Sequence, residues 1–325
     1  KALGAPVGAP GRLLVRRRRM TLVHTFSVGS LRCHTLETGL QRLDGGAMFG
    51  VVPKPMWEKR APPDERNRIP LALRCLLVEH PDGLVLVDTG VGDKDDAKFH
   101  DIYGIENRGP DGASRLDLAL AELGFTPADI ALVVNTHLHF DHAGGNTRLA
   151  GMSAPLLDTG EFGAVPAFPN ATYVVQRGEL EFARHRNERT RASYIPRNFE
   201  PVSVANRWKL FNGDGEVTPG LSLRVTPGHV PHHQCVVVRD GGETAVFVAD
   251  LIPTVAHLPL PWIMGYDLEP LRTLESKRAL LRDAAAGNWL LVFEHDPAVA
   301  TGRLDETAKA PTLVDVTPAA GAGAR

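Results

Sequence analysis

The residues with the clearest chemical potential lie in one short stretch, residues 136–145, which reads Thr-His-Leu-His-Phe-Asp-His-Ala-Gly-Gly. Within six positions it contains four side chains that can bind a metal, namely His137, His139, Asp141 and His142. Imidazole and carboxylate groups together suit zinc or a similar transition metal. Four donors are more than one tetrahedral ion takes from a single segment, so the spacing suggests two ions side by side.

The elements around this stretch explain how its side chains could converge. The apolar run 130–134 comes just before it and predicts a buried strand. Because His137 and His139 are two residues apart, an extended backbone directs both to the same side. Gly144 and Gly145 allow the backbone to pass close to whatever the loop holds. A polar loop that happens to be rich in histidine is the alternative, but such density at a strand end favours a metal site.

Three further predicted strands end in residues of the same types, His229, Asp250 and His295. Active residues commonly sit where strands stop and loops begin. Two ions about 3.5–4 Å apart would acidify a bridging water, polarise a carbonyl or phosphoryl oxygen and hold the leaving oxygen. Ligand counting suggests three residues for each ion and one for both: His137, His139 and His229, then Asp141, His142 and His295, with Asp250 as the bridge.

Other polar residues near these strand ends are candidates for supporting roles. Asp88 ends the predicted strand 84–88, where a buried carboxylate needs a hydrogen bond or a partner. We expect Asp88 to orient a metal-binding histidine, although it could instead cap the following loop. His232 and His233 exceed the ligand count. We expect His232 to lie behind the ligands and His233 to be a core or surface residue.

The segment 44–57 mixes glycine, proline and large apolar residues without a helix or strand period, which predicts a loop. Met48, Phe49 and Trp57 within it need something to pack against. They could cover the edge of the core or form the apolar wall of a pocket. We assign these three residues to substrate binding.

Composition excludes several classes of function. The chain has 325 residues, 43% of them hydrophobic and 23% charged, as in ordinary globular proteins. Its formal net charge of −2 gives no general electrostatic basis for binding nucleic acid or a membrane. No apolar run reaches transmembrane length. Three scattered cysteines argue against a disulfide framework and predict a cytoplasmic location.

The chain divides into three predicted parts. Residues 1–19 are rich in Gly, Ala, Pro and Arg, and we expect a disordered extension with little bearing on function. Residues 20–303 carry the predicted strands, helices and ligands, and we expect one catalytic domain there. Residues 304–325 are poor in bulky apolar side chains near the end, which predicts a mostly mobile tail.

The motif Thr-His-Leu-His-Phe-Asp-His-Ala-Gly-Gly resembles the signature of the metallo-β-lactamase superfamily. The later Thr-Pro-Gly-His, Ala-Asp and Glu-His-Asp segments follow in that family's order, and Asp88 matches its strand-end Asp. The resemblance covers about residues 21–303. It implies an α/β fold, a four-layer αββα sandwich with a two-metal site at one edge.

Within the superfamily, three segments resemble N-acyl-homoserine lactonases of the quorum-quenching kind, and also the related methyl parathion hydrolases. They are the Gly-Gly-Ala-Met-Phe-Gly-Val-Val-Pro-Lys-Pro-Met-Trp run, residues 67–71 and residues 249–253. The mechanism implied is attack of a metal-bridging hydroxide on the lactone carbonyl. Asp250 would bridge the ions, and Asp141 could move the proton while also binding metal.

Two departures from related enzymes matter. Some lactonases have a Tyr three residues after the bridging Asp, where this chain has Pro253. Tyr194 and Tyr266 are the candidates to replace it. True β-lactamases of this fold often use Cys in place of the bridging Asp, so Asp250 argues against that activity.

Several alternatives and partners remain open at this point. A phosphotriesterase and a glyoxalase II-like thioesterase use the same ligands, and a non-catalytic metal-binding protein could keep the fold. The expected cofactors are two divalent ions, most simply zinc, with manganese, cobalt or iron as alternatives. The expected partner is a small lactone or ester with an apolar chain, and a homodimer agrees with the resemblance and with base rates.

Overall fold

Two mixed β-sheets pack face to face in the computed structural model, which describes residues 21–150, 162–305, 307–308 and 311–320. The predicted extension 1–19 therefore lies outside the described residues. The first sheet has the strand order β1 (Val23–Val28), β2 (Leu31–Asp44), β3 (Arg68–His80), β4 (Gly83–Val87), β5 (Ile130–Val134), β8 (Thr172–Gln176) and β9 (Trp208–Phe211). Its first four strands are antiparallel, and β4, β5, β8 and β9 run parallel.

The second sheet continues from the first in chain order. It consists of β10 (Gly215–Thr218), β11 (Leu221–Val225), β12 (Gln234–Asp240), β13 (Glu243–Phe247), β14 (Leu290–Val292), β15 (Val299–Leu304) and β16 (Leu313–Pro318). All neighbours are antiparallel except β13 and β14, so β11, β13 and β14 point the same way. A separate antiparallel pair is formed by β6 (Thr147–Leu149) and β7 (Ala164–Pro166).

Helices occupy the outer faces and the connections. The described helices are α1 (Gly45–Phe49), α2 (Lys54–Trp57), α3 (Ala97–Tyr103), α4 (Arg115–Glu122), α5 (Phe140–Ala143), α6 (Arg177–Arg184), α7 (Glu200–Val204) and α8 (Pro270–Ala286). None of the helices within the described ranges has the length and apolar content to cross a bilayer. All three cysteines are buried and unpaired.

Side-chain alternation along the strands builds the layers. In β3, Leu76 and Val78 face the second sheet, while Cys75 and Leu77 face the opposite way and join the cluster that includes Leu120 of α4. The outer face of the second sheet packs in the same manner against α8. The result is helix, sheet, sheet and helix, which confirms the predicted αββα sandwich.

Two sequence predictions about local structure are wrong. The segment 44–57 contains α1 and α2 rather than an irregular loop, and the Asp44 carboxylate caps α1 by accepting from Ala47 N–H. Within the predicted mobile tail, residues 313–318 form the edge strand β16. Backbone pairing with β15 and packing of Leu313 on the α8 cluster supply the order that composition did not indicate.

A buried arginine ties the two sheets together next to the strand end at His295. Arg74 of β3 is fully buried, and its Nε donates to Glu37 Oε1 at 2.6 Å. Its terminal nitrogens donate to the carbonyl oxygens of Phe293 and Asp296 in the second sheet's loop. Arg74 therefore fixes the loop around His295 against the first sheet.

Replacing Arg74 with Met should lower the free energy of unfolding by about 3–5 kcal/mol, because Glu37 would remain buried without its partner. Arg272→Met is the matched control, since Arg272 pairs with Glu269 on an exposed surface and should cost below about 1 kcal/mol. Urea unfolding of both variants measures the difference. Equal losses of unfolding free energy in the two variants would show that the buried Arg74–Glu37 pair stabilises the fold no more than an exposed pair does.

Candidate metal centre

The candidate site forms where strand ends of the two sheets meet. In the first sheet β5 leads into residues 136–146, and in the second sheet the parallel-pointing β11, β13 and β14 lead toward His229, Asp250 and His295. Both sheets contribute because these strands end at the same edge of the sandwich. The seven residues predicted as ligands from the sequence are all brought to this edge.

The first cluster of ligand-capable atoms consists of His137, His139, His229 and Asp250, whose atoms lie within 4.8 Å of one another. Asp250 Oδ2 is 2.9 Å from His229 Nε2 and 3.7 Å from His137 Nε2. His139 Nδ1 lies 3.2 Å from His229 Nε2. Three imidazoles and one carboxylate therefore face one small volume.

The second cluster consists of Asp141, His142 and His295, also within 4.8 Å. Asp250 reaches this cluster as well, with Oδ1 3.1 Å from His295 Nε2 and Oδ2 3.4 Å from His142 Nε2. Asp250 therefore stands between the two clusters, with contacts to histidines of both.

The donor chemistry of the clusters fits divalent metal ions such as zinc. His137 Nε2 is buried and has no hydrogen-bond partner among the described residues. His142 Nε2 and His295 Nε2 face each other at 3.3 Å, where unprotonated nitrogens would repel. Imidazole nitrogens and a carboxylate that all point into one small buried volume form a donor set that suits zinc.

The electrostatics divide the histidines into two kinds. Burial and neighbouring imidazoles hold the pKa values of His137 and His139 well below the ordinary value. Burial would also lower the pKa of His229 and of His295, but the Asp250 carboxylate outweighs it and raises them to about 10 and about 9. Although burial opposes ionisation of Asp250, the surrounding histidines hold its pKa well below its usual range.

Hydrogen bonds to the far nitrogens orient the rings. Asp88 Oδ2 lies 3.1 Å from His142 Nδ1, and the same carboxylate accepts from the Thr136 backbone N–H at 2.8 Å. Asp88 therefore occupies the supporting position that its sequence context suggested. His295 Nδ1 donates to the Ala72 carbonyl at 2.7 Å. Such contacts fix which nitrogen faces the site.

Two supporting carboxylates were missed by sequence reasoning. Asp267 Oδ1 lies 2.8 Å from His229 Nδ1. Glu294 is fully buried, with Oε2 2.9 Å from His142 Nδ1, and burial raises its pKa to about 8. The signal for Glu294 was its place directly before His295, whereas Asp267 had none.

The prediction that His232 lies behind the ligands is wrong, whereas His233 is a core residue, one of the two positions expected for it. His232 is exposed and lies over Gly178 at the start of α6. His233 is fully buried, with Nδ1 2.8 Å from Thr226 Oγ1 and its ring centroid 5.3 Å from that of His137.

The backbone around the ligands is tightly constrained. Asp88 and Ala249, next to Asp250, have φ values of 54° and 42°, which non-glycine residues rarely adopt. A Cβ at Gly144 would lie 1.9 Å from the Val91 carbonyl oxygen, and one at Gly145 would lie 2.2 Å from that of Thr89. The paired glycines thus serve close packing on the loop after β4.

A cleft of about 290 Å³ opens above the two clusters. Aliphatic, aromatic and polar side chains line it, including Leu43, Met48, Leu71, Met264 and Leu268. Met48 therefore lies where the sequence prediction put it. Phe49 and Trp57 do not line the cleft, because both are buried beneath it, where Phe49 stacks between Trp57 and His257.

The two candidate tyrosines have different surroundings. Tyr194 is buried, and its hydroxyl donates to Glu179 Oε1 at 2.8 Å while its ring packs on His139. Tyr266 lines the cleft, as does Tyr103, which sequence reasoning did not consider. Desolvation raises the pKa of the partly exposed Tyr266 to about 12. Its phenol is protonated at neutral pH, as in any tyrosine, and can donate a hydrogen bond.

The fold and this arrangement agree with a family match over most of the chain. The model of the Metallo-beta-lactamase superfamily matches residues 69–151 and 162–295. The chain belongs to this superfamily.

Within the superfamily, the chain is similar to the following relatives and solved structures. An N-acyl homoserine lactonase of Bacillus cereus is 31% identical over 181 residues, 53% of this chain and 60% of the relative. The match thus spans less than two thirds of that relative. A "probable metal-dependent hydrolase" of Staphylococcus aureus has a TM-score of 0.78 at 30% identity, over 90% of this chain and 100% of the other. An N-acyl homoserine lactone hydrolase with bound N-hexanoyl-L-homoserine has a TM-score of 0.60 at 25% identity, over 83% and 94%.

The loop that carries Met264 and Tyr266 rests on a buried lysine of α8. Lys277 is fully buried, and its Nζ donates to the carbonyl oxygens of Pro259 at 2.8 Å and Trp262 at 3.0 Å. Burial lowers the pKa of Lys277 from 10.5 to about 7. Between pH values of about 7 and 10.5 the unfolded chain binds more protons than the folded one. The contribution of Lys277 to the free energy of unfolding therefore rises with pH in this range.

Lys277→Met should remove that pH dependence. The wild type gains this stability as pH rises from 7 to 10 and the variant does not, so the free energy of unfolding of Lys277→Met should fall relative to that of the wild type over this range. Urea unfolding at each pH measures this difference, and Lys98→Met, an exposed site on α3, controls for the loss of one positive charge. A stability difference that does not change with pH would contradict the burial of a titrating amine.

Proposed function

We propose that this protein is a binuclear metal-dependent hydrolase that opens the lactone ring of N-acyl homoserine lactones or similar lactones. The observation that carries the proposal is the pair of ligand clusters joined by Asp250 at the floor of a partly apolar cleft. Relatives named as lactonases support the substrate class.

The proposed ligands follow the two clusters. His137, His139 and His229 would hold one ion, Asp141, His142 and His295 the other, and Asp250 would be shared. When bound, such ions supply Lewis-acid stabilisation of negative charge and a water of lowered pKa. Asp88, Asp267 and Glu294 would keep the His142 and His229 rings turned toward the ions.

Side chains of the chain itself would bind and orient the lactone. The apolar cleft residues Met48, Leu71 and Met264 would cover the acyl chain and exclude water from it. The Tyr266 phenol lines the cleft and would donate a hydrogen bond to a substrate oxygen. The Asp141 carboxylate lies at the cleft, where it would accept a proton from the attacking water and pass it to the departing ring oxygen.

The direct test is hydrolysis of a long-chain N-acyl homoserine lactone by metal-loaded protein, followed by pH-stat. We expect rapid ring opening that a chelator abolishes and that added Zn²⁺ or Mn²⁺ restores. Paraoxon run in parallel tests phosphotriester hydrolysis. If the metal-loaded protein cleaves paraoxon but leaves the lactone intact, phosphotriesters replace lactones as the proposed substrates.

Asp250→Asn should lower kcat by at least about 100-fold while the fold is retained, because the neutral amide is a poor bridging ligand. Glu275→Gln, an exposed carboxylate change on α8, is the matched control and should leave kcat unchanged. Circular dichroism confirms folding of both variants. Wild-type turnover by Asp250→Asn would remove the bridging role.

A further inference from the structure

We propose that Gln41 is a positioning residue whose side-chain amide fixes the carboxylate of Asp141 in the orientation that binds metal. The inference rests on the proposed function, because it takes Asp141 as a ligand. No sequence pattern singled out Gln41, which lies in the long strand β2, three residues before its end.

The strand geometry explains why Gln41 reaches the site. The pairing of β2 with β3 shifts register between Glu37 and Gly39, and after this irregularity Gln41 lies opposite Leu71. A one-residue shift exchanges the two faces of a strand. Gln41 and Leu43, two residues apart, consequently share the face that lines the cleft.

The contact to Asp141 is short and specific. Gln41 Nε2 donates to Asp141 Oδ2 at 2.5 Å, and both groups are buried. Among the described residues, no other side chain donates a hydrogen bond to Asp141. The nearest imidazole nitrogens are farther away, with His295 Nε2 3.8 Å from Oδ2 and His142 Nε2 3.9 Å from Oδ1. The amide is therefore what sets the rotation of this carboxylate.

Packing alone does not account for a glutamine here. Gln41 is fully buried, yet its Oε1 has no hydrogen-bond partner among the described residues. A buried, unpaired amide oxygen is unfavourable, and Met or Leu would fill similar space without it. The hydrogen bond from the amide N–H to Asp141 therefore offsets the free-energy cost of burying the unpaired Oε1.

An amide also suits this task chemically. A lysine or arginine could donate to Asp141 too, but its positive charge would repel a divalent cation nearby. The neutral amide of Gln41 donates without adding charge. It can hold the carboxylate while leaving the negative charge of Asp141 available to an ion.

The test compares three variants by Co²⁺ titration, followed in the visible absorption spectrum, and by thermal unfolding of the metal-free proteins. Gln41→Met keeps the volume and removes the donor. Gln41→Glu keeps the shape and sets a second carboxylate against Asp141. Gln176→Met is the matched control, because Gln176 is a buried glutamine whose amide is fully paired with Gly213 and Gln234.

We expect Gln41→Met to bind the weaker Co²⁺ of the pair 10–100-fold less tightly, about the effect of losing a group behind a ligand, with an unfolding temperature equal to or above that of the wild type. Gln41→Glu also lacks the donor, but its added negative charge attracts the cation, so it should bind that Co²⁺ more tightly than Gln41→Met does. Gln176→Met should do the reverse, with a lower unfolding temperature and unchanged Co²⁺ affinity. In lactone assays, Gln41→Met should lose kcat with little change in KM.

Unchanged Co²⁺ affinity in Gln41→Met would overturn the proposal, as would a fall in unfolding temperature alone. If the wild type binds two Co²⁺ but opens no lactone, the proposed substrate fails while the Co²⁺ comparison still decides the role of Gln41. A wild type that binds a single Co²⁺, unaffected by either Gln41 variant, would overturn both the paired ions and the positioning role.

Discussion

The structure depends on the burial of Asp250 among four histidines. A carboxylate removed from water is unfavourable unless opposite charge or hydrogen bonds replace its hydration. His229 and His295 supply that compensation at 2.9 and 3.1 Å, and a bound cation would supply more. The rest of the site can be understood as the framework that keeps these groups at such distances.

Neither sheet can form this framework alone. The first sheet provides the loop with His137 and His142, and the second provides His229, Asp250 and His295. The links between the sheets concentrate near the site, where Arg74 binds the loop around His295 and the Ala72 carbonyl accepts from that histidine. Metal binding would accordingly stabilise the packing of one sheet on the other.

The layer above the ligands is built from a helix and connecting segments, not from the two sheets. Helix α1, the loop 262–268 and the segment 189–193 surround the cleft, and they contribute Met48, Met264, Tyr266 and Arg189. The segments come from distant parts of the chain, and Arg189 donates to the Gly265 carbonyl at 2.9 Å to join two of them. The sandwich fixes the proposed ligands, while these connections shape the cleft above them.

The sequence by itself determined the superfamily, the layered fold and the residue types of the candidate metal site, because a dense motif and strand-end residues are local signals. Only the tertiary structure decided which residues surround the candidate ligands and the cleft. It left His232 exposed, placed the buried ring of His233 next to His137, buried Phe49 beneath the cleft, and brought the Asp267 carboxylate to His229. Those outcomes depend on side-chain direction and on contacts between residues far apart in the chain, which a single sequence does not encode as a pattern.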